Sequence, residues 1–502
     1  MKNIFSELNR QNSFAEIMRL SEITSEEKLQ QAKANSFDAG FTAAEWSKRF
    51  PNVPPERIVC QKIILLPAPL YYWDKGGCVR FPLQIYGGQI LYPSDVSDQE
   101  YEKLLLEQIQ RIESYREEKQ YLKMFSGISS EGSGKMAMAV ASDLLKREEP
   151  SAELYKAFFD VYSFTDCGAS ALVGTDALER LTACKSPEQK EETAKRLSEL
   201  PEEIEIYRGE GSESTDYQNA LSWTTNLDKA YFFAAWRGGE KARIIHAKVR
   251  KSDVLEYITD RREAEIIVSP DKIPSESITE KSCITWDDFF EVVTNLPDDS
   301  SSYLGMEFDD FDASLVVYDV KDTYSYLGRD EDSDHDIPHS VRVALMTSYM
   351  FRTEVMPRYK DSTYLVKETI YSLYHALMMA AIWHDTGRVD DSASETHGEA
   401  SYRLFAEEND EDPVVKFLVE YHCKDDDEAR NFWRENFEQN SGYSDLEKSL
   451  IWEIFCYMKD ADALDRWRFG NLSDDFVQVQ YLRTEVAKQL MPVAASLQKL
   501  KI

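Results

Sequence analysis

An acidic, serine-rich stretch from residue 286 to residue 334 separates two parts of the chain that have different sequence patterns. Before this stretch, short apolar segments punctuated by Pro and Gly alternate with helical patterns, as is typical of mixed α and β structure. From Pro338 onward the periodicity is almost wholly helical. A chain of 502 residues is also too long for one hydrophobic core. The sequence therefore predicts several domains, with one boundary in the acidic stretch.

A second boundary is predicted at the Gly/Ser-rich segment "SGISSEGSGKMAM", which begins at Ser126. Just before it, Leu and Ile at helical spacing predict one long amphipathic helix from Asp98 to Phe125. We therefore predict four segments. They are an N-terminal α/β module of unknown role (1–125), an α+β domain (126–285), an acidic inter-domain segment (286–334) and an all-α domain (335–502).

Charge and cysteine content narrow the range of partners and compartments. The formal net charge is −33, and about two thirds of that excess lies beyond residue 290. Such a surface repels phosphate backbones, which argues against nucleic acid as a partner. The seven cysteines are scattered and contain no C-x-x-C pair, so we expect reduced thiols in a cytoplasmic protein. No apolar run approaches the roughly 20 residues of a membrane span, and we expect no membrane partner.

Three strand-like motifs in the middle region carry candidate functional residues: "EIYRGEG", "LSWTTNLDKAYFFA" and "RREAEIIVSP". Arg208 precedes a glycine that would let a ligand approach closely. Ser222 and Thr224 lie on a strand that runs into a helix. Glu263 and Glu265 are two residues apart, which would place both carboxylates on one face of a strand. Each residue alone fits a salt bridge or a solvated face, but the ordered set favours a binding site.

The ordered set resembles the R-S-E class of mono-ADP-ribosyltransferases, glycosyltransferases that use NAD as co-substrate, over residues of about 130–285. The resemblance implies that Arg208 binds the NAD pyrophosphate. It also implies that Glu265 holds the ribose and faces the developing oxocarbenium charge, while Glu263 orients the acceptor. "SWTT" stands where the family has Ser-Thr-Ser, so Ser222 is the expected match and Thr224 the alternative.

Aromatic residues after the second strand form another candidate contact. Tyr231 or Phe232 could stack on the nicotinamide ring, and the run "YFFAAW" also fits ordinary core packing. Both interpretations stay open at this point.

After residue 335, histidines recur at helix ends with acids nearby. A lone histidine at a helix end more often caps or packs than binds a metal. Here several such segments occur in one predicted domain, and they suit a metal site. The segments are "DIPHSVRV" with His339, "AIWHDTGR" with His384 and Asp385, "ETHGEAS" with His397 and Glu399, "LVEYHCK" with His422, and "KDADALDR" with Asp460, Asp462 and Asp465.

These segments resemble the HD superfamily of metal-dependent phosphohydrolases over residues of about 335–490. The resemblance implies His339, His384, Asp385 and Asp462 as metal ligands, with Asp460 as the alternative to Asp462. His397 and His422 occupy places where members with two metal ions, or with a catalytic histidine, carry extra histidines. His397 with Glu399 could protonate a leaving group. Arg388 or Lys459 could offset the substrate's charge.

Nitrogen and carboxylate ligands suit one or two divalent ions of Mn, Fe, Ni, Co, Zn or Mg, and the sequence does not choose among them. His375, within an apolar helix, is expected to be a core residue. The predicted function is a bifunctional enzyme. It would transfer ADP-ribose from NAD to an acceptor, for which a protein is one candidate, and hydrolyse a phosphate bond in a nucleotide, in ADP-ribose or in the modified acceptor. The alternative is an HD nucleotide phosphohydrolase regulated by a non-catalytic transferase-like domain that senses NAD or a nucleotide.

Overall fold

The computed structural model describes residues 17–35, 40–61, 83–85, 90–91, 97–126, 144–145, 150–162, 175–212, 214–238, 241–259, 263–294, 337–388, 396–469 and 479–498. Helices account for most of these residues. They are α1 (Glu26–Ala34), α2 (Ala43–Arg49), α3 (Asp98–Glu117), α4 (Tyr121–Ser126), α5 (Ala152–Tyr162), α6 (Thr175–Ala183), α7 (Pro187–Ser198), α8 (Leu227–Arg237), α9 (Trp286–Thr294), α10 (Ile337–Glu354), α11 (Tyr364–Trp383), α12 (His397–Glu408), α13 (Pro413–Tyr421), α14 (Asp426–Trp433), α15 (Asp445–Leu464) and α16 (Glu485–Leu497).

The strands form two sheets. One sheet has the order β1-β2-β3-β4, and the other has the order β10-β7-β5-β6-β9-β8. Antiparallel pairing with Ser222 opposite Ile267 and Thr224 opposite Glu265 sets the register of β6 on β9. The strands are β1 (Ile17–Arg19), β2 (Ile58–Gln61), β3 (Leu83–Ile85), β4 (Ile90–Leu91), β5 (Glu203–Glu210), β6 (Ser222–Thr224), β7 (Arg243–Arg250), β8 (Val254–Ile258), β9 (Glu265–Val268) and β10 (Thr279–Ser282).

The chain divides into two compact units. Unit 1 comprises residues 1–206, 215–225 and 247–278. Its core contains the fully buried Trp46 and Phe158 together with Ile267 of β9. A buried carboxylate, Glu256, accepts hydrogen bonds from Tyr155 and Thr193, and Lys185 Nζ lies 2.7 Å from it. This buried network ties helices α5 and α7 to strand β8.

Unit 2 comprises residues 207–214, 226–246 and 279–502. Helix α8 packs against α16, and α10 packs against α11, α15 and α16, so one hydrophobic core runs through these helices. Phe289 and Val293 of α9 are buried in the same core, inside the segment that the sequence assigned to an inter-domain connection. The remainder of that segment, 295–334, lies outside the described residues. The predicted boundaries at 126 and 335 stay predictions. Residues 226–246, which the sequence placed in the middle domain, belong to the same compact unit as the C-terminal helices.

The coarse prediction of mixed α and β structure is confirmed, whereas the ADP-ribosyltransferase-like and HD domain types stay predictions. The prediction of a single helix from Asp98 to Phe125 is wrong, because Lys119 adopts a positive φ of 56° between α3 and α4. His375 is exposed on α11 rather than buried. Within the described part of the chain, no helix has the length and apolar character needed to cross a membrane.

Candidate functional sites

His384 and Asp385 lie at the C-terminal end of helix α11, where the chain leaves the helix. His384 is the C-cap residue, and its Nδ1 lies 2.9 Å from the carbonyl oxygen of Ala381. A carbonyl can only accept, so Nδ1 carries the proton and Nε2 presents a lone pair. This Nε2 lies 3.1 Å from Nε2 of His339 on α10. Asp385, the next residue, also faces His339, and its Oδ2 lies 3.4 Å from the same Nε2 of His339.

His339 is held in a similar way by a carboxylate. Its Nδ1 lies 2.8 Å from Oδ2 of Asp465, just beyond the end of α15. Its Nε2 lies 3.4 Å from Asp385 Oδ2 and 3.4 Å from Asp462 Oδ1. The Asp465 contact orients the ring so that Nε2 points towards His384 and the two other carboxylates.

A second histidine pair faces the other oxygen of Asp385. Nε2 of His397, at the start of α12, lies 2.9 Å from Nε2 of His422, at the end of α13. The two nitrogens lie 3.0 Å and 3.4 Å from Asp385 Oδ1. His422 Nδ1 lies 2.7 Å from the carbonyl oxygen of Val419, so its Nε2 also presents a lone pair. Asp385 thus lies between two histidine pairs, one facing each of its oxygens. We call these four histidines with Asp385 and Asp462 the Asp385 cluster.

The Asp385 cluster is buried, but it has one side open to solvent. His339 and His384 are fully buried and Asp385 is 2% exposed, whereas the side chain of Asp462 is 25% exposed. Burial lowers the pKa of His384 to about 3, so this ring is neutral. Burial also lowers the pKa of His339, but hydrogen bonds to three carboxylates outweigh that effect and raise it to about 10. One positive charge is therefore held between the first histidine pair.

The donor atoms of the Asp385 cluster fit a divalent metal. Among the described residues there are two groups of possible metal ligands, and within each group all donor atoms lie within 4.8 Å of one another. They are His339, His384 and Asp385 in one group, and His397, His422 and Cys423 in the other. Imidazole lone pairs about 3 Å apart in a buried pocket repel each other unless a cation lies between them. A metal ion would replace the proton on His339.

Asp465 and Arg342 are functional candidates that the sequence motifs did not indicate. Arg342 Nε and Nη2 donate to the two oxygens of Asp465 at 2.6 Å and 2.9 Å, and both residues are buried. Hydrogen bonds from His339 and Arg342 outweigh the effect of burial and lower the pKa of Asp465. For Arg342 a signal was present in the spacing, because it follows His339 by three residues on α10 and so shares a face of that helix. For Asp465 the sequence showed only one of three closely spaced acids.

Asp460 has a structural position instead. Its carboxylate accepts hydrogen bonds from the backbone N–H groups of Arg483 and Thr484 and from the Thr484 hydroxyl, just before α16 begins. The structure therefore places Asp462 beside His339 and uses Asp460 to hold the start of α16.

The predicted acid–base pair of His397 and Glu399 is not brought together. Glu399 is about half exposed and accepts from Lys424 Nζ at 3.0 Å, whereas His397 faces Asp385 and His422. His397 is thus placed among the metal-ligand candidates. Of the two predicted cations, Arg388 Nη1 lies 3.8 Å from Asp385 Oδ1. Lys459 pairs with Asp426 at 3.1 Å.

In unit 1, the candidate NAD residues Ser222 and Glu265 are in direct contact. The Ser222 hydroxyl donates to Oε1 of Glu265, and Tyr162 Oη donates to the same oxygen at 3.2 Å. In the antiparallel register of β6 and β9, Ser222 lies opposite Ile267 and Glu265 lies opposite Thr224, so the contact between Ser222 and Glu265 is a diagonal one on the same face of the sheet. Thr224 instead donates to the backbone carbonyl of Glu263 at 2.5 Å. Ser222, rather than Thr224, therefore meets the carboxylate.

The expectation that Glu263 and Glu265 share a strand is wrong. Strand β9 begins at Glu265, and Ala264 before it has a positive φ of 48°. Glu263 lies in a bend, so the period of two that applies to a strand does not relate the two carboxylates.

Arg208 and Tyr231 belong to unit 2. Arg208 Nε lies 3.0 Å from Glu210 Oε1. The following residue, Gly209, lies against α8, where an added Cβ would come within 1.8 Å of the carbonyl oxygen of Ala230. The glycine therefore permits a close approach by a helix rather than by a ligand.

Tyr231 is 1% exposed and donates a hydrogen bond to Glu485. Its ring therefore occupies the core position that the sequence also allowed, and it has no face available for stacking on nicotinamide. Its neighbour Phe232 is buried as well, against Trp467.

No family model, no curated protein and no solved structure matches the chain.

Proposed function

We propose that unit 2 is a metal-dependent phosphohydrolase whose centre is the Asp385 cluster. The observation that carries this proposal is the position of Asp385, whose two oxygens face the His339–His384 pair and the His397–His422 pair. A carboxylate with one nitrogen pair on each side is suited to bridge two divalent ions.

The protein's own contribution is orientation. Backbone carbonyls of Ala381 and Val419 hold the rings of His384 and His422, and Asp465 holds the ring of His339. Each ring is therefore held with its Nε2 directed into the cluster. When bound, divalent ions would supply a hydroxide nucleophile at neutral pH and offset the charge on phosphate oxygens.

The substrate class proposed is a small phosphorylated molecule, either a nucleotide or ADP-ribose. The exposed side of Asp462 gives access to solvent, and Arg388 lies close enough to the cluster to contact a phosphate oxygen. The strongly negative charge of the chain argues against a polyanionic substrate such as nucleic acid.

The test compares His384→Ala with His375→Ala, a matched control because His375 is exposed on the same helix. Bound metal is measured by mass spectrometry, and phosphate release is measured from p-nitrophenyl phosphate, adenine nucleotides and ADP-ribose with Mn²⁺. We expect His384→Ala alone to lose both metal and activity. Wild-type protein that retains no divalent metal would overturn the proposal, and would instead favour an interaction protein.

A second candidate function is NAD cleavage in unit 1, favoured by the hydrogen bond from Ser222 to Glu265. Glu265 would hold the ribose and stabilise the positive charge that develops as the nicotinamide bond breaks, while Ser222 and Tyr162 position its carboxylate. The ADP-ribose would pass to an acceptor such as a protein side chain or water. Roles for Arg208 and Glu263 stay predictions.

Nicotinamide release from NAD tests this second function, with wild type compared with Glu265→Gln. Release by wild type that the variant lacks supports catalysis. If wild type binds NAD in calorimetry but releases no nicotinamide, the domain is a sensor for NAD, and the chain is a phosphohydrolase regulated by it.

A further inference from the structure

Cys423 adjoins the second histidine pair of the Asp385 cluster. His422 is the C-cap residue of α13 and Cys423 follows it, where the chain leaves the helix. Donor atoms of His397, His422 and Cys423 all lie within 4.8 Å of one another. The thiol is half-buried and is not in a disulfide. The arrangement at the end of α13 repeats the one at the end of α11, where His384 and Asp385 are consecutive.

We propose that Cys423 supplies a thiolate ligand to the second metal position, together with His397, His422 and Oδ1 of Asp385. This inference rests on the proposed metal centre. Donor atoms around one tetrahedral ion lie about 3.5 Å apart, because metal–nitrogen and metal–sulfur bonds are about 2.0 Å and 2.3 Å. The donor atoms of His397, His422 and Cys423, all within 4.8 Å of one another, are therefore close to the separation that one ion needs. On binding, the S–H proton leaves to solvent and the sulfur bonds to the ion.

The two metal positions then differ in chemistry. The first has nitrogen and oxygen donors from His339, His384, Asp385 and Asp462, and such a set accepts Mn²⁺, Fe²⁺ or Mg²⁺. A sulfur donor at the second position selects Zn²⁺, Co²⁺ or Fe²⁺ and disfavours Mg²⁺. The two halves of the Asp385 cluster would thus hold different ions. The sequence, in contrast, predicted only nitrogen and carboxylate ligands.

The experiment uses the full chain, stripped of metal and titrated with Co²⁺ as the probe. Cobalt bound to a thiolate gives a charge-transfer band in the near ultraviolet, and cobalt in any such site gives weaker visible bands. Wild type, Cys423→Ser and Cys184→Ser are compared. Cys184 is the matched control because it is also half-buried and outside a disulfide, and it belongs to unit 1.

We expect the charge-transfer band in wild type and in Cys184→Ser, and we expect Cys423→Ser to lose that band while keeping visible bands from the first position. Wild-type protein that binds cobalt with visible bands alone overturns the thiolate and leaves the proposed centre standing. Failure of wild type to bind any cobalt overturns both. A folding defect in Cys423→Ser would remove the visible bands of the first position as well, which distinguishes it from loss of the thiolate alone.

A second readout is the rate at which a disulfide reagent modifies thiols of the native chain. Zn²⁺ is expected to protect one thiol of wild type and none of Cys423→Ser. Equal reaction rates with and without Zn²⁺ in wild type would contradict the proposed ligand.

Discussion

The Asp385 cluster of unit 2 and the Ser222–Glu265 pair of unit 1 differ in how well their polar atoms are satisfied without a ligand. In the pair, hydroxyl groups of Ser222 and Tyr162 donate to the carboxylate of Glu265, so donors meet an acceptor. In the cluster, Nε2 atoms of His339 and His384 lie 3.1 Å apart, and the contact is favourable only when a cation, either the proton on His339 or a metal ion, lies between them. The geometry of the cluster therefore includes a position for a cation, whereas the pair depends more on the sequence motif.

Among the substitutions that test this difference, Asp385→Asn should have the largest effect. The substitution replaces one acceptor oxygen by an N–H donor and removes the charge that faces both histidine pairs. We expect loss of bound metal and a fall in phosphate release of about 10⁴-fold, which corresponds to about 5.5 kcal/mol of transition-state stabilisation. Metal analysis and phosphate release measure both quantities. Exposed Asp410→Asn is the control, and equal metal content in the two variants would contradict a bridging role.

Glu265→Gln should have the next largest effect, confined to the other region. Gln keeps the shape of the side chain but removes the charge that would face the ribose, so nicotinamide release should fall about 10³-fold. Metal content should stay at the wild-type value. Glu205→Gln is the matched control, because Glu205 is exposed on strand β5. A wild-type rate in Glu265→Gln would show that this carboxylate does not act on the bond to nicotinamide.

The helix-end histidines could be identified from sequence as candidate metal ligands, because such residues occur in short motifs that do not depend on how the helices pack. Asp465 could not be assigned in that way. Three acids follow one another at 460, 462 and 465, and only packing shows that the first holds α16, the second faces His339 and the third orients His339. Cys423 could not be identified from sequence for a similar reason. Its position next to His422 suggests a shared site only once the end of α13 is known.

The fold shows the same limit. Helical and strand periodicities predicted that both kinds of element occur, because those patterns are local. The burial of α8 against α16 joins positions more than 240 residues apart, and no local pattern reports it. The positive φ of Ala264 separates Glu263 from strand β9. Because residues other than glycine rarely adopt a positive φ, the sequence does not predict this conformation at an alanine.

Glu256→Gln tests whether unit 1 can be weakened without loss of the metal centre. Glu256 is 2% exposed, and ion pairs with Lys185 and Arg196 hold it. Removing the charge leaves the buried Lys185 ammonium without its counter-ion, at a cost of about 3 kcal/mol of unfolding free energy. Thermal unfolding should show the loss, while metal content at 25 °C should match wild type. If Glu256→Gln loses bound metal as well as stability, the metal centre of unit 2 is not independent of the stability of unit 1.

The same carboxylate predicts a pH dependence. Burial raises the pKa of Glu256, but the Lys185 ion pair and hydrogen bonds outweigh it, and the pKa lies below its ordinary value of 4.5. A depressed pKa in the folded state contributes stability above the unfolded value, and that stability is lost as the pH falls through the folded value. Wild type should therefore lose stability below about pH 4.5 more steeply than Glu256→Gln. Parallel curves for the two proteins would contradict this assignment.

Asp465→Asn should have the smallest effect and separates orientation from ligation inside the Asp385 cluster. Asp465 would not touch the metal, so its loss should weaken metal affinity by about 10–100-fold rather than abolish binding. Competition with a chelator measures that affinity. Because Arg342 pairs with Asp465, the variant also loses stability, and Arg342→Met with Asp465→Asn tests whether removing the unpaired cation restores stability but not affinity. If the double variant regains wild-type affinity, Asp465 acts only as a counter-ion to Arg342, and the His339 ring needs no partner to bind metal.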